Sequence, residues 1–439
     1  MLKIAIIKPM KHTYKKLPNG LNVFLLPLKD VDSVTFTILA HVGSRDEDPK
    51  LAGMSHYLEH VFFKGSKMYP TAQIMSEAVD AIGGDWNAMT GKETTEFYIR
   101  AAKKNFNLIF DLLTGMIQHP LFDPAELERE KGPIIEEMRM YADNPAHQVE
   151  MNLDKTMWPD SALGEKIIGS EKTLKSITRN DILAFLKKWY VPENMAVGVA
   201  GNFNQGLVMK KIEKAWGGLP SAKVPKIPKT GVPDAAELRS RTGTKFIFEK
   251  RDIEQTNISI GFQSFGFKDK RLPALSVLSA LLGGGMSSRL FIKVRERLGL
   301  AYSVYSSNDI YQGVGMFTIN AGVRSSSVDA ALKAINGELL SVAKKGISQA
   351  ELKKAQEQIK GRTSLRLEDS QSKLDFLIGR FINSGDFKSP EEVIKAIEAV
   401  TAKQVQKLAA EIFKSKKMAV SVIGPMKQSP AIIKKAAKL

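Results

Sequence analysis

The chain alternates short apolar runs with longer stretches in which apolar residues recur at helical spacing. Near the start, "YKKLPNGLNVFLLPL" reads as a hairpin turning at Asn19-Gly20, and "SVTFTILAHV" follows as a strand. Farther on, "SITRNDILAFLKKWYVPENMAVGVAGNF" reads as a capped amphipathic helix, a turn and a buried strand. The pattern returns as "AVTAKQVQKLAAEIFKSKKMAVSVIGPM". Thr178 and Thr401 are the expected N-caps, and "MAVxVxG" starts 17 residues after each.

The offset between Thr178 and Thr401 is 223, and similar offsets align "DPAELEREK" with "SQAELKKAQ" and "LAGMSHYLEH" with "LPALSVLSAL". The chain therefore reads as two related domains: residues 1–222, a Pro- and Lys-rich connector over 223–245, and residues 246–439. In each copy strands precede long helices. The expected class is α+β, with each domain a mostly antiparallel sheet packed against helices and the two related by duplication.

The 439 residues are 43 % apolar and 25 % charged, an ordinary globular balance that suits more than one core. No apolar run is long enough to span a bilayer, and the start does not read as a secretory signal. A soluble, cytoplasmic protein without a membrane partner is expected. The formal charge is +17, and the segment from Lys414 onward holds seven lysines and no acid. No nucleic-acid motif accompanies that charge, so it reads as a solvated basic face and tail with no nucleic-acid partner. If the excess extended to a substrate-binding wall, acidic peptides would be favoured. There is no cysteine, so a bound metal must be held by nitrogen and oxygen.

The chain has six histidines, and His56 and His60 stand four apart with Glu59 between them in "GMSHYLEHVFFKGS". Residues i and i+4 share one helix face, so both imidazoles can reach one Zn²⁺. Glu59 lies on the same flank and can hold a metal-bound water without ligating; H-x-x-E-H is the reverse of H-E-x-x-H. The alternative is a packed, hydrogen-bonded histidine pair. Against it, the second copy places Val277, Ala280 and Leu281 opposite His56, Glu59 and His60, so the helix does not need the histidines.

A third ligand must come from another element, and "PAELEREKGPIIEEMRMYADNP" offers Glu130, Glu136 and Glu137. Glu130 and Glu137 share a face, and their counterparts in the second copy are Ala355 and Arg362. Since arginine cannot ligate zinc, that domain has lost the whole constellation. This favours Glu137 as ligand and Glu130 as its support. Gly132-Pro133 is expected to kink or restart this helix, which leaves the placement of Glu130 open.

These motifs resemble the pitrilysin/insulinase family of inverted-motif zinc peptidases, in particular its half-length branch, which includes the mitochondrial processing peptidase subunits. The likeness rests on "GSRDEDPKLAGMSHYLEHVFFKGS", "GGDWNAMTGKETTEFYI", "EREKGPIIEEM" and "LLGGGMSSRLFIKVRERLGLAYSV". That family leaves 76 residues between the second histidine and the third ligand, which from His60 leads to Glu137. The resemblance implies one zinc held by His56, His60 and Glu137, with Glu59 as general base activating zinc-bound water and Glu130 supporting the site. It also implies an arginine and a tyrosine seven residues apart from another domain, here Arg295 and Tyr302, as donors to a developing oxyanion.

The stretch "GGDWNAMTG" resembles the edge strand on which the family lays its substrate, making Asn87, Ala88 and Met89 candidates for substrate binding. The glycines at 283–285 lack the Lys-Ser/Thr of a phosphate loop and read as a turn between helices. The function implied is a zinc-dependent endopeptidase that hydrolyses peptides or unfolded segments in an enclosed chamber. Because the family's shell has four domains, a homodimer is expected, or a heterodimer with a related subunit. The alternative is a non-catalytic or partner-dependent subunit of a hetero-oligomeric processing peptidase.

Overall fold

A computed structural model describes residues 10–222, 245–413 and 418–425. Most of the connector and most of the basic tail lie outside the described residues; Lys245, placed in the connector above, opens a strand.

The first sheet contains β1 (Thr13–Lys16), β2 (Asn22–Pro27), β3 (Ser33–Ala40), β4 (Asp85–Thr90), β5 (Thr95–Ala102) and β6 (Met195–Gly201), in the order β1-β2-β6-β3-β5-β4. The second contains β7 (Lys245–Lys250), β8 (Gln255–Ser264), β9 (Ala301–Ile310), β10 (Gly315–Arg324) and β11 (Met418–Gly424), in the order β7-β11-β8-β10-β9. The duplication is explicit in the pairing. β6 runs parallel to β2 and antiparallel to β3, while β11 runs parallel to β7 and antiparallel to β8. Both are fully buried, in keeping with their nearly continuous apolar runs, which Ser421 alone interrupts in β11. Every other pair is antiparallel, so the class is α+β.

The helices preceding β6 and β11, Arg179–Trp189 and Ala402–Ile412, start at Thr178 and Thr401. Each threonine forms a reciprocal capping box, with Asp181 and Gln404 respectively. The turn from β1 to β2 follows the Asn-Gly signal. Gly20 takes φ 95°, and the Asn19 amide donates to the Trp216 carbonyl at 2.8 Å.

The two halves exchange helices, which the sequence pattern does not reveal. Helix α5 (Pro145–Met157) belongs to the first repeat but packs on the second sheet, placing Leu153 and Met157 against Val314, Met316 and Ala419. Its counterpart, the helix Ser370–Ser384, packs Leu374, Leu377 and Ile378 against Phe24, Leu26, Leu39, Ala196 and Ala200 of the first sheet. Burying such side chains contributes ~1.5–3 kcal/mol each. The approach is close: a Cβ on Gly198 would lie 2.7 Å from Ile378 Cδ1, and one on Gly261 3.1 Å from Met157 Cε.

Polar groups cross the same seam. Thr35 Oγ1 and Ser370 Oγ lie 2.7 Å apart, and the buried Arg45–Glu93 ion pair engages the backbone of Gln312 from both sides.

Candidate functional site

Helix α1 (Met54–Phe62) carries the paired histidines. Met54, Tyr57, Leu58, Val61 and Phe62 bury one flank in the first core. Tyr57 donates to the Leu127 carbonyl at 2.6 Å, docking α1 on helix α4 (Pro124–Asp143). The start of α1 has no N-cap side chain, because Gly53 occupies that position at φ 97°. Glu47 takes over: its two oxygens accept from the backbone N–H groups of Gly53 at 2.7 Å and Ser55 at 2.6 Å.

Helix α4 runs unbroken over 20 residues with Pro133 inside it, so the expected restart at Gly132-Pro133 does not occur. Proline removes a single backbone bond and the turns on either side keep theirs. Glu130 and Glu137 accordingly stay on one face, opposite α1. Glu136 points to the surface and pairs with Arg139 at 2.5 Å.

Glu137 Oε2 lies 3.6 Å from His56 Nε2 and 3.4 Å from His60 Nε2, and all three groups offer ligand atoms within 4.8 Å of one another. Tetrahedral Zn²⁺ with bonds of ~2.0–2.1 Å places neighbouring ligand atoms about 3.3–3.4 Å apart. Glu137 Oε2 is buried and finds no hydrogen-bond partner among the described residues, as expected of an oxygen whose partner is a cation. The donor set of two imidazoles and one carboxylate fits zinc. Burial and the neighbouring His60 hold the His56 pKa below its ordinary value, so this imidazole stays neutral, the form that ligates.

The outer partners are equally specific. His60 Nδ1 lies 2.9 Å from Glu130 Oε1, which leaves Nε2 facing Glu137; the other Glu130 oxygen meets Lys64 Nζ at 2.5 Å. Burial pushes the Glu130 carboxyl up, but the hydrogen bonds from His60 and Lys64 outweigh it and bring it below the ordinary range. Glu59 stands outside that cluster. Its carboxylate accepts from the Thr90 hydroxyl on β4, and burial raises its pKa.

A cavity of about 440 Å³ opens before His56, Glu59 and Glu137. One side is β4, an edge strand that contributes Ala88, Met89 and Thr90; Asn87 lies on that strand but does not line the cavity. The opposite wall comes from the second sheet, with Ser259, Asp309, Thr318 and Asn320, and from Glu150 and Asp154 on α5. Basic residues are few here, and one of them, Lys92, lies 3.9 Å from Asp154. The wall therefore does not share the chain's positive excess, which removes the basis for expecting acidic peptides. Burial raises Asp154 to about 7 and Asp309 to about 6.

Arg295 and Tyr302 stand elsewhere. Tyr302 is 75 % exposed, and the Arg295 guanidinium lies 5.8 Å from its ring centroid. Neither lines the cavity, and Arg295 makes no ion pair among the described residues. The exposure of Tyr302 excludes a core-capping role. The glycines at 283–285 end the helix Leu272–Gly283, in keeping with a turn.

Sequence reasoning missed Glu47, Lys64 and Thr90. Lys64 is one turn past His60, so the i+4 rule that paired the histidines reaches it too. Thr90 closes the "DWNAMT" strand, whereas Glu47 precedes the helix it caps by a loop that no local rule anticipates.

The profile described as "Insulinase (Peptidase family M16)" matches residues 23–171, and "Peptidase M16 inactive domain" matches residues 176–359. A protein of Streptomyces coelicolor named an uncharacterized zinc protease is 36 % identical over 94 % of this chain and 90 % of its own length. The uncharacterized zinc protease YmxG of Bacillus subtilis is 34 % identical over 94 % of this chain and 98 % of its own. The crystal structure of a protease from Helicobacter pylori superposes with a TM-score of 0.88 at 25 % identity, covering 95 % of this chain and 100 % of that one. The structure titled peptidase M16 inactive domain from Pseudomonas fluorescens gives 0.82 at 19 % identity, over 95 % and 100 %. With relatives this similar along nearly its whole length and both half-profiles in order, the chain belongs to peptidase family M16, the insulinase family.

Proposed function

We propose that the chain is a zinc-dependent endopeptidase that cleaves extended peptides or unfolded segments. The observation carrying this reading is the convergence of His56, His60 and Glu137 within 4.8 Å, beside a half-buried Glu59 that stands outside that cluster and lines a cavity. When bound there, Zn²⁺ supplies Lewis acidity, polarising a carbonyl and making water a competent nucleophile near neutral pH.

The chain's residues do the rest. Glu59 takes a proton from the attacking water and delivers it to the leaving amine as the C–N bond breaks, so acid and amine products balance the water consumed. The Thr90 hydroxyl, on β4 at the cavity, donates to the Glu59 carboxylate and holds it in place. The β4 edge receives the substrate backbone as an added strand, with Ala88 and Met89 beside it. Glu150, Asp154 and Asp309 on the far wall favour peptides with basic side chains.

The exposure of Tyr302, outside the cavity, favours dependence on a second subunit. In this reading two copies enclose a chamber, and the partner subunit's Arg295 and Tyr302 donate to the carbonyl oxygen as it gains charge. A related but different partner chain is the alternative, and a purely non-catalytic subunit would not need the retained ligand set. The compartment proposed is the cytoplasm; among the described residues no helix is long and apolar enough to cross a membrane.

The test is zinc content and cleavage of quenched peptides by the purified chain. Glu59→Gln should bind zinc and not turn over, while mixing it with Tyr302→Phe chains should restore part of the activity. Cleavage by Glu59→Gln removes the assigned base; no recovery despite subunit exchange puts Tyr302 to work within its own chain.

A further inference from the structure

Lys64 has no role in the chemistry above, yet its ammonium is aimed inward. It lies one turn beyond His60, and its side chain is 26 % exposed, against 9 % for Glu130, which it meets at 2.5 Å. Glu130 spends one oxygen on His60 Nδ1 at 2.9 Å and the other on Lys64. We propose that Lys64 is a positioning residue of the metal centre: it anchors Glu130 in the orientation that fixes His60 with Nε2 toward the metal. The inference rests on reading His56, His60 and Glu137 as a zinc site.

The physical case is one of satisfaction and geometry. A carboxylate this buried needs donors on both oxygens. With only His60 to hold it, Glu130 can rotate about its last bond, or bend toward the cation that it should support from behind. The ammonium removes that freedom and balances a negative charge placed one residue away from the metal.

The duplication supplies an internal comparison. In the second half the positions of His60, Glu130 and Lys64 are taken by Leu281, Ala355 and Gly285. The glycine there is instead faced by a different side chain: Gln358 donates to the Gly284 carbonyl at 3.0 Å, and its Nε2 would lie 2.7 Å from a Cβ on Gly285. The lysine is absent where the histidine and glutamate are absent. A lysine kept only for solubility would have no reason to follow them.

The experiment measures zinc affinity of the full chain by competition with a chromophoric chelator, alongside thermal melts of the metal-free proteins. Five proteins are compared: wild type, Lys64→Met, Lys64→Arg, Glu130→Gln and Lys64→Met/Glu130→Gln. Loss of such an outer partner weakens metal affinity by about 10- to 100-fold, and Lys64→Met should fall at the lower end. Lys64→Arg, which can also reach the carboxylate, should recover most of the loss. In the Glu130→Gln background the Lys64→Met change should add almost nothing, because the lysine acts through Glu130.

Unchanged affinity in Lys64→Met overturns the proposal. So does an equal loss in the Glu130→Gln background, or a loss that arginine does not rescue and that tracks the metal-free melting temperature. A wild-type chain that binds no zinc overturns the functional reading itself, a result distinct from all of these.

Discussion

Glu47 is the residue whose removal tests most directly how helix α1, which carries the paired histidines, is held. Helix α1 begins at a glycine, and among the described residues Glu47 alone supplies acceptors to the N–H groups of Gly53 and Ser55, both of which are buried. Replacing it by alanine strands two donors. Each unsatisfied buried N–H costs about 1–3 kcal/mol, and loss of a helix cap costs up to about 2 kcal/mol. The two figures describe overlapping effects, so Glu47→Ala should lose roughly 2–4 kcal/mol in urea unfolding of the metal-free chain at pH 5.

A pH dependence follows. Burial raises the carboxyl from its ordinary value of 4.5 to about 7, against the pull of the Ser55 and Gly53 N–H groups. The folded chain thus retains a proton that the unfolded chain has already released. The stabilisation from Glu47 is fully present below the unfolded value and shrinks as pH rises toward 7, by no more than about 1.4 kcal/mol per pH unit. The gap between wild type and Glu47→Ala should therefore be wider at pH 5 than at pH 8. His56 is the third residue of α1, so the same variant should bind zinc more weakly as the first turn frays. A gap under about 0.5 kcal/mol at pH 5, the size of an ordinary surface substitution, would refute the capping argument. A gap that widens toward pH 8 would refute the linkage.

Ile378→Ala removes a buried contact between the exchanged helix and the first sheet, and should cost about 2–5 kcal/mol while lowering the melting temperature of both halves together. Separate transitions would show that the helix does not couple them. Arg45→Met leaves the Glu93 carboxylate buried without its guanidinium and should cost about 3–5 kcal/mol in urea titration; a loss below about 1 kcal/mol would mean that water replaces the pair. Asp154 carries a folded pKa raised by burial to about 7, so its ionisation should erode stability as pH rises from about 4 to about 7. Asp154→Asn, which resembles the protonated form, should flatten that slope between pH 5 and pH 8 in thermal melts, and an unchanged slope would place the titration elsewhere.

What could be read along the chain was what local chemistry dictates. The threonine caps, the Asn-Gly turn and the nearly continuous apolar strands are determined by near neighbours, and each appears where the pattern put it. The grouping of His56, His60 and Glu137 was legible for a different reason. The duplicated half served as a control, showing Val277, Leu281 and Arg362 where His56, His60 and Glu137 stand. The exchange of α5 with its counterpart was not legible, since an amphipathic helix carries no mark of which sheet it will cover. At Pro133 the restart, one of the two outcomes expected there, does not occur: one missing backbone bond does not end a helix whose packed face continues on both sides.

The helix exchange gives the second half, which has no counterparts of His56, His60 and Glu137, a part in the candidate site. By crossing to the second sheet, α5 brings Glu150 and Asp154 beside Asp309, so that sheet becomes the wall facing Glu59 and the β4 edge. The cavity then exists only while the two sheets are held face to face. The contacts that hold them, Ile378 over Gly198 and the Arg45–Glu93 pair on the Gln312 backbone, involve no residue that lines the cavity or belongs to the His56, His60 and Glu137 cluster. A substitution at that seam should thus leave zinc affinity nearly intact while changing the wall that receives the peptide. In Ile378→Ala chains kept below their unfolding transition, KM should rise with little change in bound zinc. Loss of zinc in parallel with KM would show that the seam and helix α1 form one cooperative unit.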